Sequence, residues 1–294
     1  MIKRTIEISN PSSISLDMGQ LVIEQDGDVA GQVPVEDLGV LILAHPAISI
    51  TQAVIAACIE AQCIIVFCDK KFLPVSVLLP LWTNSLHSKI LKDQAALSRP
   101  AQKRLWQQVV IGKTEAQMRV LKVFGLPHEE MKPFKTRVKS GDPENIEGQA
   151  ARVYWRNLFG EKFRRNRGKS DINMLLNYGY AIIRAAVARA LCGSGLNPAI
   201  GIHHHNQYDA MCLADDLVEP LRSAIDLVVY RLSGQDPDIK EITRQHKTEL
   251  LNILSQPFLI QEKEFPLLVA LQYYTASFRN ALTKTEGRLE IPFI

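Results

Sequence analysis

With 294 residues, 47% of them hydrophobic, the chain is long enough to bury a sizeable core, and its length suggests two domains. The formal net charge is only +3, too small by itself to announce a polyanion or a membrane surface as partner. Five cysteines, at 58, 63, 68, 192 and 212, show no CxxC spacing, which argues against a zinc cluster or a disulfide framework and for thiols kept reduced in a cytoplasm.

The opening MIKRTIEIS lacks the apolar run of a signal peptide, so no export is expected. Over residues 2–81 the pattern alternates with period two, in IEIS, SISLD, QLVIEQ, VAGQVP and LGVLILA, as strands do. Asp26-Gly27-Asp28 reads as a hairpin turn. One helix interrupts the strands, capped by Ser49 or Thr51 and running through AVIAACIEA, and the strands CIIVFC and PVSVLL follow. Residues 53–68 form the longest apolar stretch, but Glu60 and Gln62 break it, so no membrane span is expected. The boundary falls near residues 80–95. Residues 1–85 are expected to be a small antiparallel β-rich domain, and residues 86–294 a larger all-α domain.

Residues 100–124 form one helix, with Leu105, Trp106, Val109, Val110, Met118 and Leu121 at three-to-four spacing. A linker rich in Pro, Gly and charge precedes a helix opened by Asp142 or Pro143 and stopped by Gly160. Steps of three and four from Glu147 reach Ala150, Ala151, Tyr154 and Leu158, so this acid lies on the inward stripe. There it costs on the order of several kcal/mol unless it is paired, hydrogen-bonded or bound to a cation. An ordinary first-turn glutamate favoured by the helix dipole is the alternative reading. Ser170 or Asp171 caps the next helix, which is apolar on most sides and closed by Gly193 and Gly195. Amphipathic helices are expected near 216–232, 237–254 and 262–284, and the final GRLEIPFI is extended.

Charge is unevenly spread. Between 132 and 169 stand eleven Lys or Arg against four acids, a local excess of seven, which leaves the rest of the chain at minus four. Either a solvated surface or a phosphate-binding strip fits.

The window GIHHHNQYDAMCLADDLVEPLR, residues 201–222, concentrates His203, His204, His205, Asp209, Asp215, Asp216 and Glu219. Carboxylates suit Mg²⁺ or Mn²⁺, and an imidazole tilts a mixed site toward Mn²⁺ or Zn²⁺. Asp216 and Glu219, three apart, share a helix face, and consecutive histidines cannot all aim at one point. Pro220 predicts an irregular turn beside the acids. A polar loop whose Asp215 or Asp216 caps the next helix explains the window equally well.

Four separated motifs, IEGQAARVYWRNLFG, NYGYAIIRAAVARAL, the 201–222 window and LEIPFI, together resemble the CRISPR-associated spacer-acquisition integrase family, protein one of that prokaryotic machinery, in its type II form. The resemblance implies a β domain that builds a homodimer, joined to a helical catalytic domain. It implies that Glu147, His204 and Glu219 hold a catalytic Mg²⁺ or Mn²⁺, with Asp216 in support. It also implies double-stranded DNA as prespacer and CRISPR repeat, a small ferredoxin-like protein two as partner, and further type II proteins as candidate partners. Arg152, Arg156, Arg164, Arg165 and Arg167 are the candidates for phosphate contacts. The alternatives to a DNA integrase are a metal-dependent phosphohydrolase of small phosphoesters and a DNA-binding scaffold without chemistry.

Overall fold

A computed structural model of the chain describes residues 3–70, 73–80, 84–166, 168–169, 171–236, 239–284 and 287–294. The N-terminal part runs β1 (Arg4–Ile8), β2 (Ser12–Asp17), β3 (Gln20–Gln25), β4 (Asp28–Pro34), β5 (Leu38–Leu43), β6 (Ile48–Ile50), α1 (Gln52–Glu60), β7 (Ile64–Cys68) and β8 (Pro74–Leu78). Helices then dominate, as α2 (His87–Ala95), α3 (Arg99–Val123), α4 (Lys132–Arg137), α5 (Ile146–Phe159), α6 (Ile172–Gly193), α7 (Cys212–Val218), α8 (Arg222–Gln235) and α9 (Arg244–Asn252). The hairpin β9 (Pro257–Ile260) and β10 (Lys263–Pro266) precedes α10 (Leu267–Ala281).

The strands form two four-stranded sheets, ordered β4-β3-β2-β6 and β1-β5-β7-β8. The antiparallel expectation holds for β2-β3-β4 and β7-β8, but β1-β5, β5-β7 and β2-β6 pair in parallel. The physical reason lies in β5 and β7. LGVLIL is buried at every position, because one face meets the other sheet and the opposite face meets the helices. Such doubly covered strands read as unbroken apolar runs, and a crossover carrying a helix, here α1, is what joins parallel neighbours. The β3–β4 turn follows the sequence expectation: Asp26 and Gly27 both have positive φ (52° and 90°), the geometry that lets a two-residue loop match strand twist. Thr51, not Ser49, caps α1 through its side chain.

Leu41, Leu43 and Ile65 pack with Ile14, Leu21, Val54 and Cys58 in the smaller core. Val40, Ile42, Ile64 and Val66 join the larger core built by the helices, so one strand pair serves both. At the centre of the larger core is α6, which packs against α7, α8, α9 and α10; Asp171 caps it, and Ser170 lies outside the described residues.

The second half is not all helix. Residues 257–266, assigned in part to the last expected helix, form the β9–β10 hairpin. Gln261 and Glu262 adopt positive φ (51° and 63°) in its turn without the Gly or Asn that would have marked it. The extended tail docks there too, since Leu259 and Phe293 exchange backbone hydrogen bonds of 2.7 and 3.0 Å. No helix among the described residues is long and apolar enough to cross a membrane.

Candidate active site

The first element of the site is the opening turn of α5. Its cap is Asn145, in the left-handed region at φ 50°, whose side chain accepts from Gly148 N. Asp142, expected with Pro143 to open the helix, instead precedes the cap and accepts from the amides of Ile146 (2.8 Å) and Glu147 (2.9 Å). Three otherwise unpaired helix N–H groups are thereby satisfied, which fixes the backbone of Glu147. Ala150, Tyr154 and Leu158 are buried below it, as the spacing predicts, while Ala151 is half-buried at the cavity wall.

The second element is the window after α6. Asp216 is fully buried and accepts from the amides of Ile202, His203 and His204 at 2.6, 3.0 and 3.1 Å and from His204 Nδ1 at 2.7 Å. One carboxylate thus folds the histidine loop around itself. The loop is so tight that a Cβ on Gly201 would stand 2.4 Å from the His204 carbonyl oxygen. Asp216 also lifts the His204 imidazole above its ordinary range through their hydrogen bond, against the opposing effect of burial. With Nδ1 engaged, Nε2 is the ring nitrogen left for a metal or a proton.

The three histidines part company as spacing requires. His203 stacks flat on Trp106, with ring centroids 3.9 Å apart, and burial holds its imidazole below the ordinary range. His205 meets Arg99 at 3.3 Å. His204 alone of the three lines the cavity that Glu147 and Glu219 also line. Asp209 and Asp215 are taken by Arg184, at 2.8 and 2.6 Å.

Pro220 ends α7 at Val218 and starts a tight turn over Glu219–Leu221, as its missing N–H demands. That turn sits against α3. The result is a meeting of two acids on one lysine: Lys113 Nζ lies 2.5 Å from Glu147 Oε1 and 2.6 Å from Glu219 Oε2. Arg222 holds the other Glu219 oxygen at 3.0 Å. Burial alone would push the Glu219 carboxyl up, but Lys113 and Arg222 outweigh it and hold it below the usual range.

The cavity, about 230 Å³, is further lined by Gln117, Arg165, Tyr180 and Asp226. Tyr154 donates to Asp226 at 2.9 Å and Tyr180 donates to its other oxygen; burial pushes the Asp226 carboxyl up to about 7. Arg222 and Arg165 both approach the Tyr180 ring, at 4.9 and 5.3 Å. The sequence reading did not include Lys113, Arg222, Tyr180 or Asp226. A signal existed for the first, because the α3 stripe from Val109 and Val110 toward Val120 and Leu121 passes through Lys113 and Gln117.

Among the described residues no three His, Cys, Asp or Glu side chains stand together closely enough to hold a metal ion as they lie. The donor chemistry nonetheless fits a divalent cation. Contacts of 2.5 and 2.6 Å to one nitrogen bring the two carboxylate oxygens within about 5 Å of each other, and hard oxygen donors with one imidazole suit Mg²⁺ or Mn²⁺.

Beside this cavity lies a second of about 500 Å³, lined by Arg152, Arg156, Arg164 and Arg165 with Trp155 and Phe163. Arg165 borders both cavities. Arg156 is shared with Glu130 and Glu161, and Arg164 donates to the carbonyls of Glu161 and Phe163. Arg167 lies outside the described residues. The 132–139 end of the basic strip is spent differently: Lys132, Lys135, Arg137 and Lys139 pair with Glu129, Glu115 and Glu144.

A two-sheet β unit carrying a helical layer is a fold found among solved structures. A Cas1 protein from Thermotoga maritima superposes with a TM-score of 0.76 at 13% identity, covering 98% of this chain and 100% of that one. A casposase bound to integration product gives 0.80 at 18% identity, covering 99% and 93%; both likenesses concern the fold. In sequence, the family model described as CRISPR associated protein Cas1 matches residues 6–251. The CRISPR-associated endonuclease Cas1 of Neisseria meningitidis serogroup C (strain 8013) is 37% identical over 297 residues, 100% of this chain and 97% of that one. A second relative of that name, from Francisella tularensis subsp. novicida (strain U112), is 25% identical over 261 residues, 81% of each chain. The chain belongs to the Cas1 family.

Proposed function

We propose that this chain is a divalent-metal-dependent DNA endonuclease and integrase of CRISPR adaptation, with Glu147, His204 and Glu219 holding Mg²⁺ or Mn²⁺. The observation that carries this reading is the convergence of two carboxylates, from α5 and from the Glu219–Leu221 turn, on one positive charge in a cavity that His204 also lines. A bound cation would polarise the phosphoryl oxygen and neutralise charge that builds on the pentacoordinate phosphorus.

The chain's own residues do the rest. Asp216 orients His204, Arg222 holds Glu219, and the arginines of the adjoining cavity grip phosphates on the strand that leads into the site. The reaction joins the 3′-hydroxyl of a captured duplex to a phosphodiester at the border of the repeat. One P–O bond forms as another breaks, the hydroxyl gives up its proton, and the old strand end leaves with a 3′-hydroxyl. Water in place of the hydroxyl gives hydrolysis.

Partners follow from the same reading. Structural neighbours of the same fold include a Cas6-RT-Cas1--Cas2 complex and a TtCas1-DNA complex, which supports a Cas2-type protein and DNA as partners here. Residues 1–85 are the unit assigned to the homodimer, and residues 86–294 the catalytic unit.

The test is strand joining by purified protein. With Mn²⁺ it is expected to join a prespacer duplex to a supercoiled plasmid bearing the repeat and to leave nucleotides intact. Hydrolysis of small phosphoesters without joining would move the chain to the phosphohydrolases, and DNA binding without joining under any divalent cation would leave a scaffold.

A further inference from the structure

The metal-dependent reading gives the carboxylates and the imidazole their roles, but Lys113 calls for a separate explanation. Its side chain is 13% exposed and lies midway along α3 among the buried Val109, Val110, Thr114 and Gln117. A lysine so placed is strongly disfavoured unless opposite charge surrounds it. Glu147 and Glu219 supply that charge, at 2.5 and 2.6 Å. Together with Arg222 on the far oxygen of Glu219, the group contains two positive and two negative side chains and is balanced without any metal.

That balance conflicts with a second cation. A divalent ion placed between Glu147 and Glu219 with Lys113 still bridging them would raise the group to plus two around the largely buried Lys113 and Glu219, where like charges repel more strongly than in water. The oxygens that a metal needs are also the ones the ammonium holds, Glu147 Oε1 and Glu219 Oε2. We propose that Lys113 is a tethered counter-cation of this centre: it keeps the two carboxylates together in the metal-free protein, and a divalent ion binds by displacing it. The inference rests on the metal-dependent reading above. The displaced ammonium has acceptors in the same wall, since Gln117 and Asp226 line the cavity. Lys113 therefore stabilises the empty site and weakens metal binding by the same interaction, as linkage requires.

The experiment compares full-length wild type with Lys113→Met, Lys113→Gln and Lys113→Arg by calorimetric titration with Mn²⁺ and by melting with and without Mn²⁺, with Glu147→Ala as control. Lys113→Met and Lys113→Gln are expected to melt below wild type without metal, to gain more from Mn²⁺, and to bind it on the order of tenfold more tightly. Lys113→Arg, which keeps the charge, should stay near wild type. Lys113→Gln retains a donor and carries the comparison if Lys113→Met does not fold. Neutral variants that bind Mn²⁺ no tighter than wild type overturn the proposal, as do neutral variants that stay unfolded in saturating Mn²⁺, since the loaded protein should not need the lysine. Wild-type binding that Glu147→Ala abolishes, with no gain in Lys113→Gln, removes this proposal alone. Absence of binding in all forms removes the metal reading with it.

Discussion

Glu147→Ala is expected to lose strand joining by about a thousandfold or more, the equivalent of the several kcal/mol that a bound divalent cation supplies to a phosphoryl transition state. Duplex binding should survive, because the arginine cavity is separate from the carboxylate except at Arg165 and Trp155. Glu147 is partly exposed, at 28% of its side chain, so its removal should leave the fold intact. Glu219 is different. Its carboxylate lies between Lys113 and Arg222, and Glu219→Ala would strip the buried Arg222 of its carboxylate and leave Lys113 with Glu147 alone, a loss of roughly 3–5 kcal/mol. Glu219→Gln is the cleaner variant, with the same loss of joining and a smaller fall in melting temperature. Joining rates near wild type in Glu147→Ala would remove this acid from the centre.

Charge reversal at Arg164 and Arg165 should produce the second large effect. If both side chains touch phosphates, the double variant loses two counterion-releasing contacts, and the slope of log K against log salt should flatten by about 1.8. Arg164 is exposed and donates to the backbone carbonyls of Glu161 and Phe163, so Arg164→Glu reports mainly on DNA. Arg165 also donates to Asn173 and Asn177, which tie the 161–166 loop to the start of α6; Arg165→Glu should therefore cost stability as well. An unchanged salt slope in both would place the phosphate contacts elsewhere on the surface.

Much of the fold could be read because local chemistry decides it. Thr51 and Asp171 cap helices, Gly160 stops one, and Asp26-Gly27 turns a hairpin, each by a side chain or a φ value that needs no distant partner. Strand direction could not be read in the same way, since β1-β5-β7 pairing depends on which runs become neighbours after α1 crosses between them. The last expected helix ran into a hairpin because Gln261 and Glu262 turn the chain without a turn residue.

The site divides along similar lines. Glu147 betrayed itself as an acid on an inward stripe, and Pro220 foretold the irregular turn that carries Glu219. The choice among three histidines belongs to tertiary structure: Trp106 takes His203, Arg99 takes His205, and Asp216 aims His204. Asp216 supports a neighbour through four hydrogen bonds and lines no part of the Glu147 cavity named above. Lys113 was hidden by its chemistry, because a lysine on a long helix ordinarily extends its ammonium to water, and only the folded chain sets two acids opposite it.

The most direct measurement is anomalous diffraction at the manganese edge from crystals of the full chain soaked in Mn²⁺. One peak is expected among Glu147, Glu219 and Nε2 of His204, with Lys113 moved off the two carboxylates. A peak lodged instead between Asp209 and Asp215, or no peak while both acids still grip the lysine at saturating Mn²⁺, would contradict the account.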